Sequence, residues 1–178
     1  MNKDGILFSG TANPHLASSV ARCLEVPLGA CSIGKFPDGE VSISLDQPVR
    51  GCEVFLVQPT SPPVSEHLVE LLAFADACRR GSARRITAIV PYFGYARADK
   101  RNGHRSSVTG SMVARLMETV GIDHVVGIDL HASQMEGFFH VPVDKLTAVP
   151  TLCDALRSRL PKGVVVVSPD EGRVKMAT

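Results

Sequence analysis

The chain has 178 residues, 44% of them hydrophobic, with 19 Lys+Arg against 18 Asp+Glu and a formal net charge of +1. That length holds one ordinary domain, or one and the start of a second. The near-neutral balance argues against a general attraction to nucleic acid or to a membrane surface, and no apolar run approaches the length of a bilayer span. The N-terminal stretch MNKDGILFSG lacks the apolar core and cleavage pattern of a signal peptide. Cys23, Cys31, Cys52, Cys78 and Cys153 are scattered, with no CxxC pair, which argues against a disulfide framework and a cysteine zinc site. A reducing, cytoplasmic setting is expected, with Cys78 as a small core residue.

A first strand is expected over residues 5–8. A turn follows in which Asn13 caps a helix and Pro14 takes its first position. That helix should run to about residue 24 and bury Leu16, Val20 and Cys23. Alternation predicts strands over 41–45 and 54–57. After the polar, proline-rich segment 58–63 comes the clearest helix, 67–80. Leu68, Leu71, Leu72, Ala75 and Cys78 form its stripe, Arg79 and Arg80 suit its C-terminal end, and Gly81 stops it. A strand over 86–90 precedes a helix over 108–120, with Met112, Leu116 and Val120 on one face and Gly121 as its stop. An apolar strand is expected over 124–130, a helix over 149–160 and a buried strand at the four valines 164–167. Strands alternating with amphipathic helices mean an α/β fold with a mainly parallel sheet flanked by helices.

Each unusual polar motif follows the carboxyl end of a proposed strand. They are Ser9-Gly10-Thr11, Gln58-Pro59-Thr60, the loop after Val90, Asp129-Leu130-His131 and Ser168-Pro169-Asp170. In open α/β sheets that edge is where ligands bind. The loop after Val90 reads PYFGYARADKRNGHR and delivers Arg97, Lys100, Arg101 and Arg105 within nine residues. Guanidinium forks and ammonium groups at such a turn suit a ligand with several phosphates. Asp129 and His131, two apart at a strand end, should leave on one side and could hold a divalent metal, with Asp170 adding a carboxylate. Taken alone the pair is a weak signal, since a His at a strand end is more often a hydrogen-bonded structural residue. The segment 36–40, FPDGE, offers a ring that can stack on a base and two carboxylates, or is simply a hairpin turn with solvated acids. Neither GxxxxGK[ST] nor GxGxxG occurs, nor a GxSxG elbow, nor HExxH.

Taken together these residues resemble the ribose-phosphate diphosphokinase, or phosphoribosyl diphosphate synthetase, family. The resemblance runs through FPDGE at 36–40, VRGCEVFLVQPT at 49–60, ELLAFADACRR at 70–80, PYFGYARADK at 91–100, DLHASQMEGFF at 129–139 and VPVDKL at 141–146. It implies two phosphoribosyltransferase-like α/β domains with the active site between them, and transfer of diphosphate from ATP to the 1-hydroxyl of ribose 5-phosphate. Carried over by motif, Phe36, Asp38 and Glu40 would contact adenine in a neighbouring subunit's site. Arg97, Asp99 and Lys100 would hold the nucleotide, while His131 and Asp170 would serve Mg²⁺. Residues 1–147 would be the ATP-side domain and 148–178 the start of the second.

This chain departs from the family's pattern in three places. Ala98 stands where many members carry Gln, Pro48 stands where a Ser is common in a phosphate-type regulatory site that would include Arg50 and Arg105, and Glu171-Gly172-Arg173 replaces the usual glycine pair. The ribose-phosphate loop and the basic catalytic loop do not occur in these residues, so no catalytic residue is assigned and the isolated chain is expected to be inactive. The resemblance implies a homo-oligomer, or assembly with full-length synthetase subunits. The competing readings are a non-catalytic synthetase-associated subunit and an unrelated α/β phosphate-binding module.

Overall fold

The computed structural model of the chain describes residues 5–101, 103–161 and 163–168, and it separates into two units, Met1–Leu146 and Thr147–Thr178. In the first unit, strands β1 (Gly5–Ser9), β4 (Glu53–Val57), β5 (Arg85–Val90), β6 (His124–Ile128) and β7 (Val143–Leu146) form a sheet in that order, every pair parallel. β2 (Cys31–Lys35) and β3 (Val41–Leu45) form a separate antiparallel hairpin, with Ile33 opposite Ile43. Neither β2 nor β7 is marked by the alternation that identifies the other strands.

Successive strand residues feed opposite faces of the sheet. Leu7 and Val57 pack with Ala17 and Ala21 of α1 (Pro14–Cys23) on one side. Phe8, Val54, Leu56, Ile86, Ala88 and Val90 pack on the other, against α2 (Val64–Arg80) and α3 (Thr109–Thr119). Partly buried Ile33, Ile43 and Leu45 seat the hairpin on this second core. The result is an α/β fold with a mainly parallel sheet flanked by helices.

Asn13 caps α1, its side chain accepting from the Leu16 N–H at 3.0 Å, with Pro14 in the first turn. The buried stripe is nevertheless Ala17 and Ala21, with Val20 half-buried and Cys23 exposed. α3 shows the same shift: Met112 and Leu116 are exposed, while Gly110, Val113, Ala114 and Met117 are buried. α1 turns Ala17 and Ala21 inward and α3 turns Gly110 and Ala114, and these small residues let the helix axis come close to its neighbours. At Gly110 the Ala98 carbonyl and the Met135 sulfur already lie 3.3 and 3.2 Å from where a β-carbon would be.

α2 begins three residues earlier than its apolar stripe suggests and buries Leu68, Leu71, Phe74, Ala75 and Cys78. Burial pushes the Cys78 thiol up to about 12. Gly81 does not end α2 through left-handed backbone, since its φ is −71° and Ser82 takes the positive φ, 61°. Gly81 is small because a β-carbon there would sit 2.6 Å from Val49 Cγ2. Gly121, with φ 97°, does supply the left-handed stop after α3.

In the second unit α4 (Val149–Arg157) buries no residue. Val164–Val167 do not form the buried strand expected of them, since no strand includes them and they are 50–79% exposed. A four-valine run becomes a buried strand only where neighbouring strands pair with it, and none among the described residues does so.

One clip joins α3 to the segment entering β7. Glu118 accepts from the backbone N–H groups of His140 and Val141 and from the His140 ring. Burial by itself raises the Glu118 pKa. The hydrogen bonds and the His140 charge outweigh it and hold the carboxyl below its ordinary value. A depressed folded pKa stabilises the fold above the unfolded value, ~4.3, and that contribution disappears as pH falls through the folded one.

Met117→Ala should cost about 2–5 kcal/mol in urea unfolding, whereas Met112→Ala should stay within about 1 kcal/mol. Equal costs would mean that the expected face, not the observed one, is buried. Glu118→Gln should be less stable than the parent at pH 7, with the gap closing below about pH 4. A gap that is the same at both pH values would remove the charged clip.

Candidate functional site

β1, β4, β5 and β6 run parallel, so the loops that leave their carboxyl ends gather on one edge. Four of the five polar motifs lie there, and Pro169 and Asp170 of the fifth are outside the described residues. Gly10 N–H bonds Val57 O at 3.0 Å, Gln58 N–H bonds Ile89 O at 3.0 Å and Thr60 N–H bonds Tyr92 O at 2.8 Å. Each loop thus begins by extending the sheet ladder one step.

Beneath them lies a buried polar network that composition alone does not announce. Glu70 of α2 is 3% exposed and accepts from both the Thr11 N–H, at 2.7 Å, and the Thr11 hydroxyl. Gln58, 2% exposed, accepts from the Ala12 N–H at 3.2 Å and donates to the His67 carbonyl at 3.3 Å. His67 Nδ1 meets the Ser61 carbonyl at 2.7 Å, and Thr60 Oγ1 accepts from Gly94 N–H at 2.6 Å. The sequence does carry a signal for this: Glu70 lies three residues after His67 and four before Phe74, on the inward stripe of α2. Two glycines make room. A β-carbon on Gly10 would sit 2.1 Å from Gln58 Oε1, and one on Gly94 would lie 2.9 Å from the Thr60 carbonyl oxygen.

The cationic loop leaves β5 over this platform. Phe93 and Ala96 are buried and anchor it, while Arg97, Lys100, Arg101 and Arg105 are exposed. Tyr95 takes a left-handed φ of 63° and its hydroxyl meets Ser65 Oγ at 2.7 Å. Ala98 N–H bonds Tyr95 O at 2.9 Å, and the Ala98 carbonyl accepts from Gly110 N–H at 3.1 Å, at the start of α3. Asp99 is half-buried and its Oδ2 accepts from Gln134 at 2.7 Å.

β6 ends at Ile128, earlier than expected, and Asp129 has a left-handed φ of 47°. Strand alternation therefore stops before Asp129 and does not by itself send Asp129 and His131 to the same side. Both residues are exposed and both have partners. The described residues contain no group of three His, Cys, Asp or Glu side chains able to cage a metal. Mg²⁺ keeps most of its water and usually takes one or two carboxylates together with substrate phosphates. An oxygen and an imidazole donor at this edge fit an ion that arrives with a polyphosphate, not one held permanently. His124, at the opposite end of β6, is paired with Asp144 at 3.0 Å.

Phe36, Asp38 and Glu40 form the tip of the β2–β3 hairpin, where Phe36 N–H bonds Glu40 O and Gly39, φ 94°, makes the turn. Both earlier readings of FPDGE are compatible with this, since the segment is a hairpin turn and Phe36 is 54% exposed on it. Lys35 pairs with Glu66 and ties the base of the tip to α2. The hydrogen bonds of the tip are internal, and those of the loop after β5 run to Thr60, α2, α3 and Gln134, so the two sets do not meet. Pro48 and Arg50 line a cleft of about 490 Å³ with Ser44, Gln47, Ala77 and Gly81, and Arg105 is not part of its lining.

Residues 5–121 match the N-terminal domain of ribose phosphate pyrophosphokinase. A ribose-phosphate pyrophosphokinase from Parasynechococcus marenigrum is 48% identical over 171 residues, 96% of this chain and 52% of that protein. One from Rhodopirellula baltica is 51% identical over 173 residues, 96% of this chain and 55% of that protein. The crystal structure of phosphoribosylpyrophosphate synthetase from Mycobacterium smegmatis superposes with a TM-score of 0.90 at 41% identity, covering 98% of this chain and 59% of that one. The chain spans about half the length of the curated relatives it matches.

Glu70→Ala should cost about 1–3 kcal/mol, because it removes both contacts that the buried Glu70 carboxylate makes with Thr11, whereas Glu66→Ala on the exposed side of α2 should cost less than about 1 kcal/mol. Comparison of urea midpoints decides it. Equal small losses would show that the Thr11–Glu70 contacts do not hold the edge together.

Proposed function

Because the chain belongs to the ribose-phosphate pyrophosphokinase family, we propose that it is the ATP-side half of an enzyme transferring diphosphate from ATP to ribose 5-phosphate, with 5-phosphoribosyl 1-diphosphate and AMP as products. The observation that carries this reading is the cationic loop 97–105 rising from the carboxyl end of β5, between the ends of β4 and β6. Arg97 and Lys100 bind and orient the polyphosphate, the Arg fork in pairs of hydrogen bonds and Lys as a point charge. Ala98 contributes through its backbone carbonyl, which docks on α3, so the loop is held without the side chain that many relatives carry there.

By the family's motifs, His131 and Asp170 serve the Mg²⁺ that accompanies ATP, and the ion neutralises phosphate charge. Phe36, Asp38 and Glu40 enter the nucleotide site of a neighbouring subunit, so the assembly is a homo-oligomer. An exposed ring on a hairpin fixed to α2 supports that role. Catalysis of this kind rests on proximity and on charge stabilisation. Proximity needs both substrates held together, and the motifs identified in these residues serve the nucleotide, so the expected outcome for the chain by itself is nucleotide binding without product.

Calorimetric titration should show MgATP binding to the chain, weakened by about tenfold in His131→Ala and unchanged in a folded His124→Ala. No AMP should appear on addition of ribose 5-phosphate. Absence of MgATP binding would overturn the reading, and equal affinities for the two variants would remove His131 from the ion site.

A further inference from the structure

The cationic loop contains one carboxylate, Asp99, placed between Arg97 and Lys100. Left to itself, that carboxylate would pair with its neighbours and compete with any phosphate for them. The structure gives it another partner. Gln134 Nε2 donates to Asp99 Oδ2 at 2.7 Å, across 35 residues of sequence. The amide occupies one carboxylate oxygen without bringing a second charge into the site.

Gln134 is well placed for this. It lies in a 3-10 turn, Ser133–Phe138, directly after the β6 motif. Its neighbour Met135 is fully buried, with its sulfur against Gly110, and Gly110 N–H holds the Ala98 carbonyl. Phe139, just past the turn, meets Phe93 of the cationic loop edge-on at 6.0 Å. The loops after β5 and β6 are therefore fastened at three points, two of them in the core, and Gln134–Asp99 is the point nearest the cations. Among the described residues, no acidic side chain forms an ion pair with Arg97, Lys100, Arg101 or Arg105.

We propose that Gln134 is a positioning residue for the cationic loop. By capturing Asp99 it keeps Arg97 and Lys100 free for phosphate, and it makes the geometry of that loop depend on the loop carrying Asp129 and His131. Asp99 then acts as a support for the loop and not as a ligand of the nucleotide. The phosphate part of this inference rests on the proposed nucleotide reading, while the loop-ordering part does not.

The experiment uses the 178-residue chain and two readouts. The first is amide hydrogen exchange at Ala98 and Gly110 without ligand, and the second is MgATP affinity. Gln134→Ala should speed exchange at both amides by about tenfold, and Gln134→Glu, which faces Asp99 with a second carboxylate, by more. Exchange in β5 should not change. The pair Gln134→Glu with Asp99→Asn exchanges donor and acceptor, and should return both exchange and MgATP affinity to within about threefold of the parent. A purely steric role for Gln134 would give no such rescue. Parent-like exchange in both single variants, or failure of the swapped pair to restore it, would overturn the inference. If the parent chain binds no MgATP, the nucleotide reading fails, and the exchange data still decide the role of Gln134.

Discussion

Where parallel strands end, backbone donors of the departing loops are shut away from water and need partners within the protein. Here the buried Glu70 carboxylate and Gln58 amide oxygen accept from the Thr11 and Ala12 N–H groups, and the Gln58 amide nitrogen donates to the His67 carbonyl. The rest of the edge depends on that arrangement. It needs glycine at position 10, since any β-carbon there would collide with Gln58. It also sets α2 against β1 and β4 at the height from which the later loops rise.

Above this platform the chain keeps two chemically different features apart. Positive charge is concentrated on one loop, although the chain as a whole is nearly neutral. The aromatic and acidic tip sits on a hairpin of its own, seated on the second core by Ile33, Ile43 and Leu45 and steered by Lys35–Glu66. A surface ion pair of that kind contributes little to stability. Its value lies in direction, because it fixes where an exposed tip leaves the body of the protein.

Much of the frame is legible in the sequence. The cap at Asn13, the α2 stripe, strands β1, β3, β4, β5 and β6, and the gathering of motifs at strand ends all follow from local patterns. Met112 and Leu116 are expected on the inner face of α3 and Cys23 on that of α1, yet all three are exposed. α1 buries Ala17 and Ala21, and α3 buries Gly110 and Ala114 beside Val113 and Met117, because close approach to the sheet and loops favours small residues at those points. β2 and β7 were missed since Cys31–Lys35 and Val143–Leu146 have too little apolar alternation to show what they pair with. The valines 164–167 show the converse: a strong local preference for strand forms none where, among the described residues, no strand pairs with it.

The sequence by itself determined which chemical groups are present and near which strand end each lies, because charge, turn residues and apolar runs are local properties of the chain. Tertiary structure decided which of those groups meet. Thr11 and Glu70 are 59 residues apart, and Gln134 and Asp99 are 35 apart, and nothing in either local pattern names the other. Partnership at that range is set by sheet order and by which loops share an edge. That is why the contact between Gln134 and Asp99 Oδ2 is visible only in the folded chain.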